Sequence, residues 1–198
     1  MYTIYLNFEL KSHTFFSKSG KSHFSNRKKL NLVAESQRIT PVKIKVICIG
    51  KTGKSFLVDG ENEYLNRLKH YVPVERIEIP DLKNAKKLSF EQIKQQEGAL
   101  ILSKVNAGEQ LYLLDEHGKT FTSEKFAEFL QQRFNQGGHA LTLVIGGPYG
   151  FSDELYAAAT GKISLSSLTF SHQMIRMILF EQIYRGLTIL RGEPYHHV

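Results

Sequence analysis

Apolar and polar positions alternate along the chain in a regular succession of short and long periods, beginning at Lys43. KIKVICI (43–49) places charged and apolar residues in turn, as a strand with one covered face would. Residues 55–70 carry a helical period, and VERIEI (74–79) returns to a strand. Ser89 with Gln92 three residues on forms a capping box that opens a helix to about Val105. The apolar run 111–114 predicts a strand ending at Asp115, with a turn over Glu116–Lys119. Ser123 is expected to cap a helix to about Phe134. Residues 141–145 predict a strand, and Ser152 a capped short helix. Ile163–Leu165 predicts a last strand, and 171–185 a long apolar helix that Gly186 terminates. Strands alternating with helices imply an α/β fold, a mostly parallel sheet flanked by helices.

Residues 1–42 break this pattern. They are rich in Ser, Lys and Asn, lack sustained periodicity, and meet the rest at Pro41-Val42. They are read as an N-terminal extension, disordered or upstream of the true start, with Val42 as a possible alternative start. A Ser-rich, acid-poor segment also fits an organellar transit peptide, although its basic residues are mostly Lys. A single folded domain is expected over 43–198. The net charge of +7 changes little in this picture. Residues 1–42 hold seven Lys/Arg against two Asp/Glu, and 43–198 hold nineteen against seventeen. Any nucleic-acid contact of the domain therefore needs a local patch. The single cysteine, Cys48, excludes an internal disulfide, no Cys/His cluster has zinc spacing, and no apolar run spans a membrane. A cytoplasmic protein without a metal is expected.

Two loops carry the chemistry. Gly146-Gly147-Pro148-Tyr149-Gly150 follows an apolar strand, where open α/β sheets bind ligands. Shortly after comes the small-residue run Leu165-Ser166-Ser167-Leu168-Thr169-Phe170. Glycines and serines let backbone approach a nucleoside and read its edge with N–H and C=O groups. A third loop, Gly50-Lys-Thr-Gly-Lys-Ser55, lies where a phosphate-binding loop would, and Asp115 could serve as its magnesium ligand. The spacing fails, because that motif requires glycine where Cys48 stands.

The stretch 141–186, with Ser171-His172-Gln173-Met174-Ile175-Arg176 and the ending Glu193-Pro-Tyr-His-His-Val198, resembles the SPOUT RNA methyltransferases. It is most similar to the small single-domain enzymes that methylate N3 of a pseudouridine in bacterial large-subunit ribosomal RNA. The resemblance runs from near Lys43 to the C-terminus. Serine stands at 171 where proline is usual.

The resemblance implies a C-terminal trefoil knot, which fold rules would not predict. It implies S-adenosylmethionine as cofactor, contacted by Leu114, Gly146, Leu165, Ser166, Ser167, Leu168, Thr169 and Phe170. It also implies a homodimer formed through the knot region and ribosomal RNA as partner, in assembled subunits or ribosomes. The apolar positions of helix 171–185 wrap more than one face, as a subunit interface would require. Arg176 is expected to stabilise charge on a carbonyl oxygen, with Tyr195 and His196 positioning or deprotonating the base. A nucleotide hydrolase using GKTGKS, and a non-catalytic ribosome-associated binding factor, are the alternative readings.

Overall fold

Strands β1 (Ile44–Ile49), β2 (Val74–Ile79), β3 (Gln110–Lys119), β4 (Leu141–Ile145) and β5 (Gly161–Ile163) form one sheet in the order β2-β1-β4-β3-β5. Every pairing is parallel. The structure is a computed structural model and describes residues 43–137 and 139–196. The expectation for residues 1–42 lies outside the described residues.

Among the described residues, five α-helices cover the sheet: α1 (Ser55–Leu68), α2 (Phe90–Leu102), α3 (Ser123–Asn135), α4 (Asp153–Ala158) and α5 (Met174–Leu190). Successive strand side chains point to opposite faces, and each face has its own core. Ile44, Val46, Cys48, Leu143 and Ile145 pack with Leu68 of α1, Phe126 and Leu130 of α3, and Phe180 and Ile183 of α5. Ile47, Ile49, Leu113 and Val144 pack with Ile101 of α2 and Leu155 of α4.

The alternation in β1 suggested one covered face, yet all six residues are buried. Lys45 is the reason the pattern misleads. It is 4% exposed, and its Nζ donates to Glu109 Oε1 at 2.5 Å and to the Lys104 carbonyl at 2.9 Å. Glu109 also accepts from the Thr142 hydroxyl at 2.6 Å. A charge can be buried when it is paired and hydrogen-bonded in this way.

Three helix boundaries and one strand differ from expectation. The Ser89 capping box and the Ser152 cap are present. The third helix is capped by Thr122, whose hydroxyl accepts the Lys125 N–H at 3.3 Å, so Ser123 is already helical. The last strand is Gly161–Ile163, because Ser164 and Leu165 leave the sheet. The last helix starts at Met174, with Ser171 Oγ accepting the Met174 N–H. It runs through Gly186, which does not terminate it. A Cβ at Gly186 would lie 2.9 Å from Leu130 Cδ1, so the glycine lets α5 cross close to α3. The chain turns at Gly192 instead, with φ +66°.

β3 departs furthest from its sequence pattern. Leu114 and Lys119 both register with Ile163 of β5, so Asp115–Gly118 bulge out of the ladder. A Cβ on Gly118 would lie 2.5 Å from the Ile163 carbonyl carbon, and only glycine permits that approach. The bulge projects Asp115, Glu116 and His117 beyond the carboxyl ends of the strands.

Candidate active site

A cavity of about 890 Å³ opens at the carboxyl ends of β3, β4 and β5. Its size is that of a small-molecule site, about 300–1,000 Å³. Leu114 and the β3 bulge form one wall, the Gly146–Gly150 turn a second, and residues 163–172 the third. All eight residues expected to contact a cofactor therefore line one space: Leu114, Gly146, Leu165, Ser166, Ser167, Leu168, Thr169 and Phe170.

Local chemistry shapes these walls. Ser164 Oγ donates to the Ser166 carbonyl at 2.9 Å, and Ser166 Oγ accepts the Leu168 N–H at 2.9 Å. Hydroxyl-to-backbone bonds of this kind fold a turn without secondary structure, and here they leave Leu168 72% exposed and Phe170 38% exposed at the mouth. A Cβ on Gly146 would lie 2.8 Å from the Phe151 ring, and one on Gly147 2.6 Å from Glu97 Oε2. Both glycines are thus fixed by what packs behind the turn, which holds their backbone at the cavity surface. Burial and the nearby Asp81 push the Glu97 carboxyl up from its ordinary value.

Asp115 stands in the β3 wall. Burial alone would raise its pKa, but the Tyr156 hydroxyl at 2.5 Å and the His117 N–H at 2.8 Å hold it below the usual carboxylate range. Burial and Asp115 push the Tyr156 phenol up to about 12. The cavity wall therefore carries an ionised carboxylate and a protonated phenol at neutral pH. Asp115 is thus engaged away from the Gly50–Ser55 loop, whose Gly53 N–H donates to Gln173 Oε1 at 2.9 Å.

Arg176 is completely buried and does not line the cavity. Its Nη2 donates to the Ile49 carbonyl at 2.5 Å, and its Nη1 to the Gly50 carbonyl at 3.2 Å and the Thr52 hydroxyl at 3.1 Å. Its Nε donates to the His172 carbonyl at 3.1 Å. This placement differs from the expectation of a guanidinium facing a substrate carbonyl, because four of its five N–H donors are bonded within the chain.

Tyr195 and His196 also lie away from the cavity lining. The Tyr195 ring packs edge-on against Tyr184 and under Arg185, and its hydroxyl donates to Glu181 Oε1 at 3.2 Å. Burial, Tyr64 and Glu181 push its phenol above the ordinary value. His196 Nε2 lies 2.8 Å from Glu124 Oε1, and its Nδ1 lies 3.4 Å from Arg185 Nη1. The Thr122 hydroxyl, the Glu124 backbone N–H and His196 hold the Glu124 carboxyl at about 2.

The family model described as predicted SPOUT methyltransferase matches residues 42–196. The chain belongs to the SPOUT methyltransferase family. A protein named ribosomal RNA large subunit methyltransferase H from Parabacteroides distasonis is 54% identical over 156 residues, 79% of this chain and 99% of its own. A protein of the same name from Flavobacterium johnsoniae is also 54% identical over the same shares. That from Bacteroides thetaiotaomicron is 46% identical, again over 79% and 99%. The solved SpoU methyltransferase AviRb from Streptomyces viridochromogenes, in complex with the cofactor AdoMet, is 12% identical. It covers 73% of this chain and 58% of its own at TM-score 0.38, a likeness too loose to carry an argument.

The cavity of this SPOUT family member holds residues that the loop pattern did not reveal. Tyr156, Glu116 and His117 line it, and so does Phe151 behind Gly146. The run Leu114-Asp-Glu-His-Gly118 held the available signal, since polar residues and a glycine follow an apolar strand. Periodicity ends at Leu114 and cannot show that the ladder resumes at Lys119.

Proposed function

We propose that this protein transfers a methyl group from S-adenosylmethionine to N3 of a pseudouridine in large-subunit ribosomal RNA. The observation that carries this reading is the convergence of Leu114, Gly146 and residues 165–170 on one cavity. Membership of the SPOUT methyltransferase family supports it. So do the relatives named ribosomal RNA large subunit methyltransferase H, 46–54% identical over nearly their whole lengths.

The cavity fits the cofactor in size, in its glycine- and serine-bordered backbone, and in its apolar groups at Leu114, Ile145 and Leu165. When bound there, S-adenosylmethionine supplies the methyl group and its sulfonium leaving group. The two loops align that group with the ring nitrogen. Leu168 and Phe170 close over the site and exclude water.

The imide proton needs an acceptor, and His196 is the proposed one. Glu124 orients the ring by accepting from Nε2, which leaves the lone pair at Nδ1, and that lone pair exchanges its contact with Arg185 Nη1 at 3.4 Å for the imide proton. Tyr195 stays protonated and positions the base by hydrogen bonding. Arg176 acts in this reading as a positioning residue that holds the first turn of α5, and with it His172, against the end of β1.

Tyr195 and His196 lie off their own chain's cavity, so the reading includes a homodimer in which the tail of one subunit meets the cavity of its partner. Met174, Met177, Ile178, Ile189 and Leu190 of α5 are half-buried apolar groups that a second copy would cover. A C-terminal trefoil knot belongs to the same reading. It is supported by the passage of residues 164–173 from β5 to an α5 start that is tied to β1 on the far side of β4 and β3. The site of action is proposed as cytoplasmic ribosomes; among the described residues no helix is long and apolar enough to cross a membrane.

Incubating the purified protein with tritiated S-adenosylmethionine and ribosomes, then mapping the labelled nucleoside, tests the reading. A methylated pseudouridine in large-subunit RNA is expected, and labelling of another base or none overturns it. Calorimetry with S-adenosylhomocysteine, ATP and GTP separates it from the hydrolase and binding-factor readings, since only the first should bind.

A further inference from the structure

The loop Gly50–Ser55 has no part in the cavity, yet its lysines and those of the loop after β2 lie at the same end of the sheet. Lys51, Lys54, Lys83, Lys86 and Lys87 are all exposed, and none forms an ion pair among the described residues. The two loops adjoin, because a Cβ on Gly50 would lie 2.8 Å from Asp81 Oδ1. Asp81 and Glu91 are the acids of the stretch 81–91, and Glu91 is already paired with Lys94. Residues 43–198 hold nineteen basic against seventeen acidic residues. Without these five lysines and Asp81 the count is fourteen against sixteen, so the domain's positive charge is concentrated here.

The same surface carries an aromatic platform that reaches the cavity. Phe90, the first residue of α2, is 65% exposed and stacks on Tyr149 at 4.3 Å between centroids and 21° between planes. Tyr149 belongs to the glycine turn and lines the cavity. On the other side, Gly53 is bonded to Gln173, next to His172 of the cavity wall. A lysine surface therefore borders the cavity at two points, with an open aromatic face at one of them.

We propose that the loops after β1 and β2, with the Phe90–Tyr149 pair, form the RNA-docking surface. Lysines take backbone phosphates, and Phe90 stacks on an unpaired base beside the target nucleotide. Exposed lysines around an aromatic platform are the combination that single-stranded RNA requires, since phosphate charge supplies affinity and every base has a face to stack. This rests on the proposed ribosomal RNA substrate and adds where that substrate is held.

The test compares the wild-type chain with a Lys83→Gln/Lys86→Gln/Lys87→Gln triple variant and with Phe90→Ala, all changes at exposed positions. Binding to ribosomes and to a single-stranded RNA oligonucleotide is measured over a salt series, beside S-adenosylhomocysteine calorimetry and the KM and kcat of methyl transfer. The triple variant should lower the slope of log affinity against log salt by about 2, at ~0.7 for each phosphate that a lysine no longer neutralises. Its KM for ribosomes should rise about tenfold, with S-adenosylhomocysteine affinity unchanged. Phe90→Ala should weaken RNA binding by about fivefold to a hundredfold with no change in salt slope.

Variants that bind RNA with wild-type affinity and slope overturn the inference, even where wild-type protein methylates ribosomes. Variants that lose ribosomes but keep the oligonucleotide also overturn it, because the surface would then meet ribosomal protein. Wild-type protein that binds RNA through these lysines but does not methylate it refutes the proposed reaction and leaves the docking surface standing. Wild-type protein that binds no RNA refutes both.

Discussion

Arg176 donates to the carbonyl oxygen of Ile49 across 2.5 Å, tying the first turn of α5 to the last residue of β1. The guanidinium is wholly buried and also satisfies the carbonyls of Gly50 and His172. Lysine lacks the planar fork that reaches several acceptors at once. Arg176→Lys should therefore lower stability by ~3 kcal/mol or more, since breaking a buried charged network leaves its partners unpaired. Urea unfolding checks this. An unchanged midpoint with a large loss of kcat would show that Arg176 serves the chemistry directly.

Leu168 and Phe170 offer a cleaner probe of the cavity than the glycine turn does. Gly146→Val would strike the Phe151 ring and so disturb stability and binding together. Leu168 and Phe170 are exposed, so truncating them leaves the cores intact. Each alanine variant should weaken S-adenosylhomocysteine by about tenfold, the loss of ~1.5 kcal/mol of apolar burial. The melting temperature of the free protein should not change. Unaltered affinity by calorimetry would place the ligand elsewhere.

Glu97 sets a pH-dependent stability. Its folded-state pKa is raised, first by burial and then by Asp81. The folded protein therefore binds this proton more tightly than the unfolded chain does. That contribution is present below the unfolded value of ~4.3 and is lost as pH rises through the folded value. Glu97→Gln should stabilise the protein at pH 8 and lose that advantage near pH 4. Thermal melts of both proteins across that range decide the matter; a gain independent of pH would point to packing instead.

The C-terminal tail and the cavity should separate in their effects. Removing Tyr195–Val198 should leave S-adenosylhomocysteine affinity intact and abolish methyl transfer to ribosomes. Mixing this truncated protein with the cavity variant Ser167→Trp, a change at an exposed lining position, should restore part of the activity if one subunit's tail serves its partner's cavity. Sedimentation should show a dimer at micromolar concentration. Mixtures that stay inactive although they form mixed dimers would confine tail and cavity to one chain.

A chain beginning at Val42 should methylate ribosomes at the full-length rate, because the family match begins at residue 42 and the relatives cover 79% of this chain. A clear loss of rate in the tritiated-methyl assay would give residues 1–42 a part in the reaction.

The sequence by itself determined what depends on neighbours close along the chain. The strands 74–79 and 141–145 have the bounds their apolar runs predict, and Ser89 and Ser152 cap the helices they precede. The two small-residue loops could also be read directly, because backbone approach demands residues without bulk. Tertiary structure decided what depends on partners far away. Lys45 is buried only because Glu109 comes to meet it, and Gly186 sits inside a helix at the point where α5 crosses close to Leu130 of α3. The β3 bulge appears only in the pairing with β5, where Leu114 and Lys119 both register with Ile163. Arg176 reads as a catalytic group four residues after a histidine, yet the end of β1, more than a hundred residues earlier, engages its donors. Periodicity records which face of an element is apolar; it holds no record of which distant carbonyl an arginine will find, and only the packed chain supplies that.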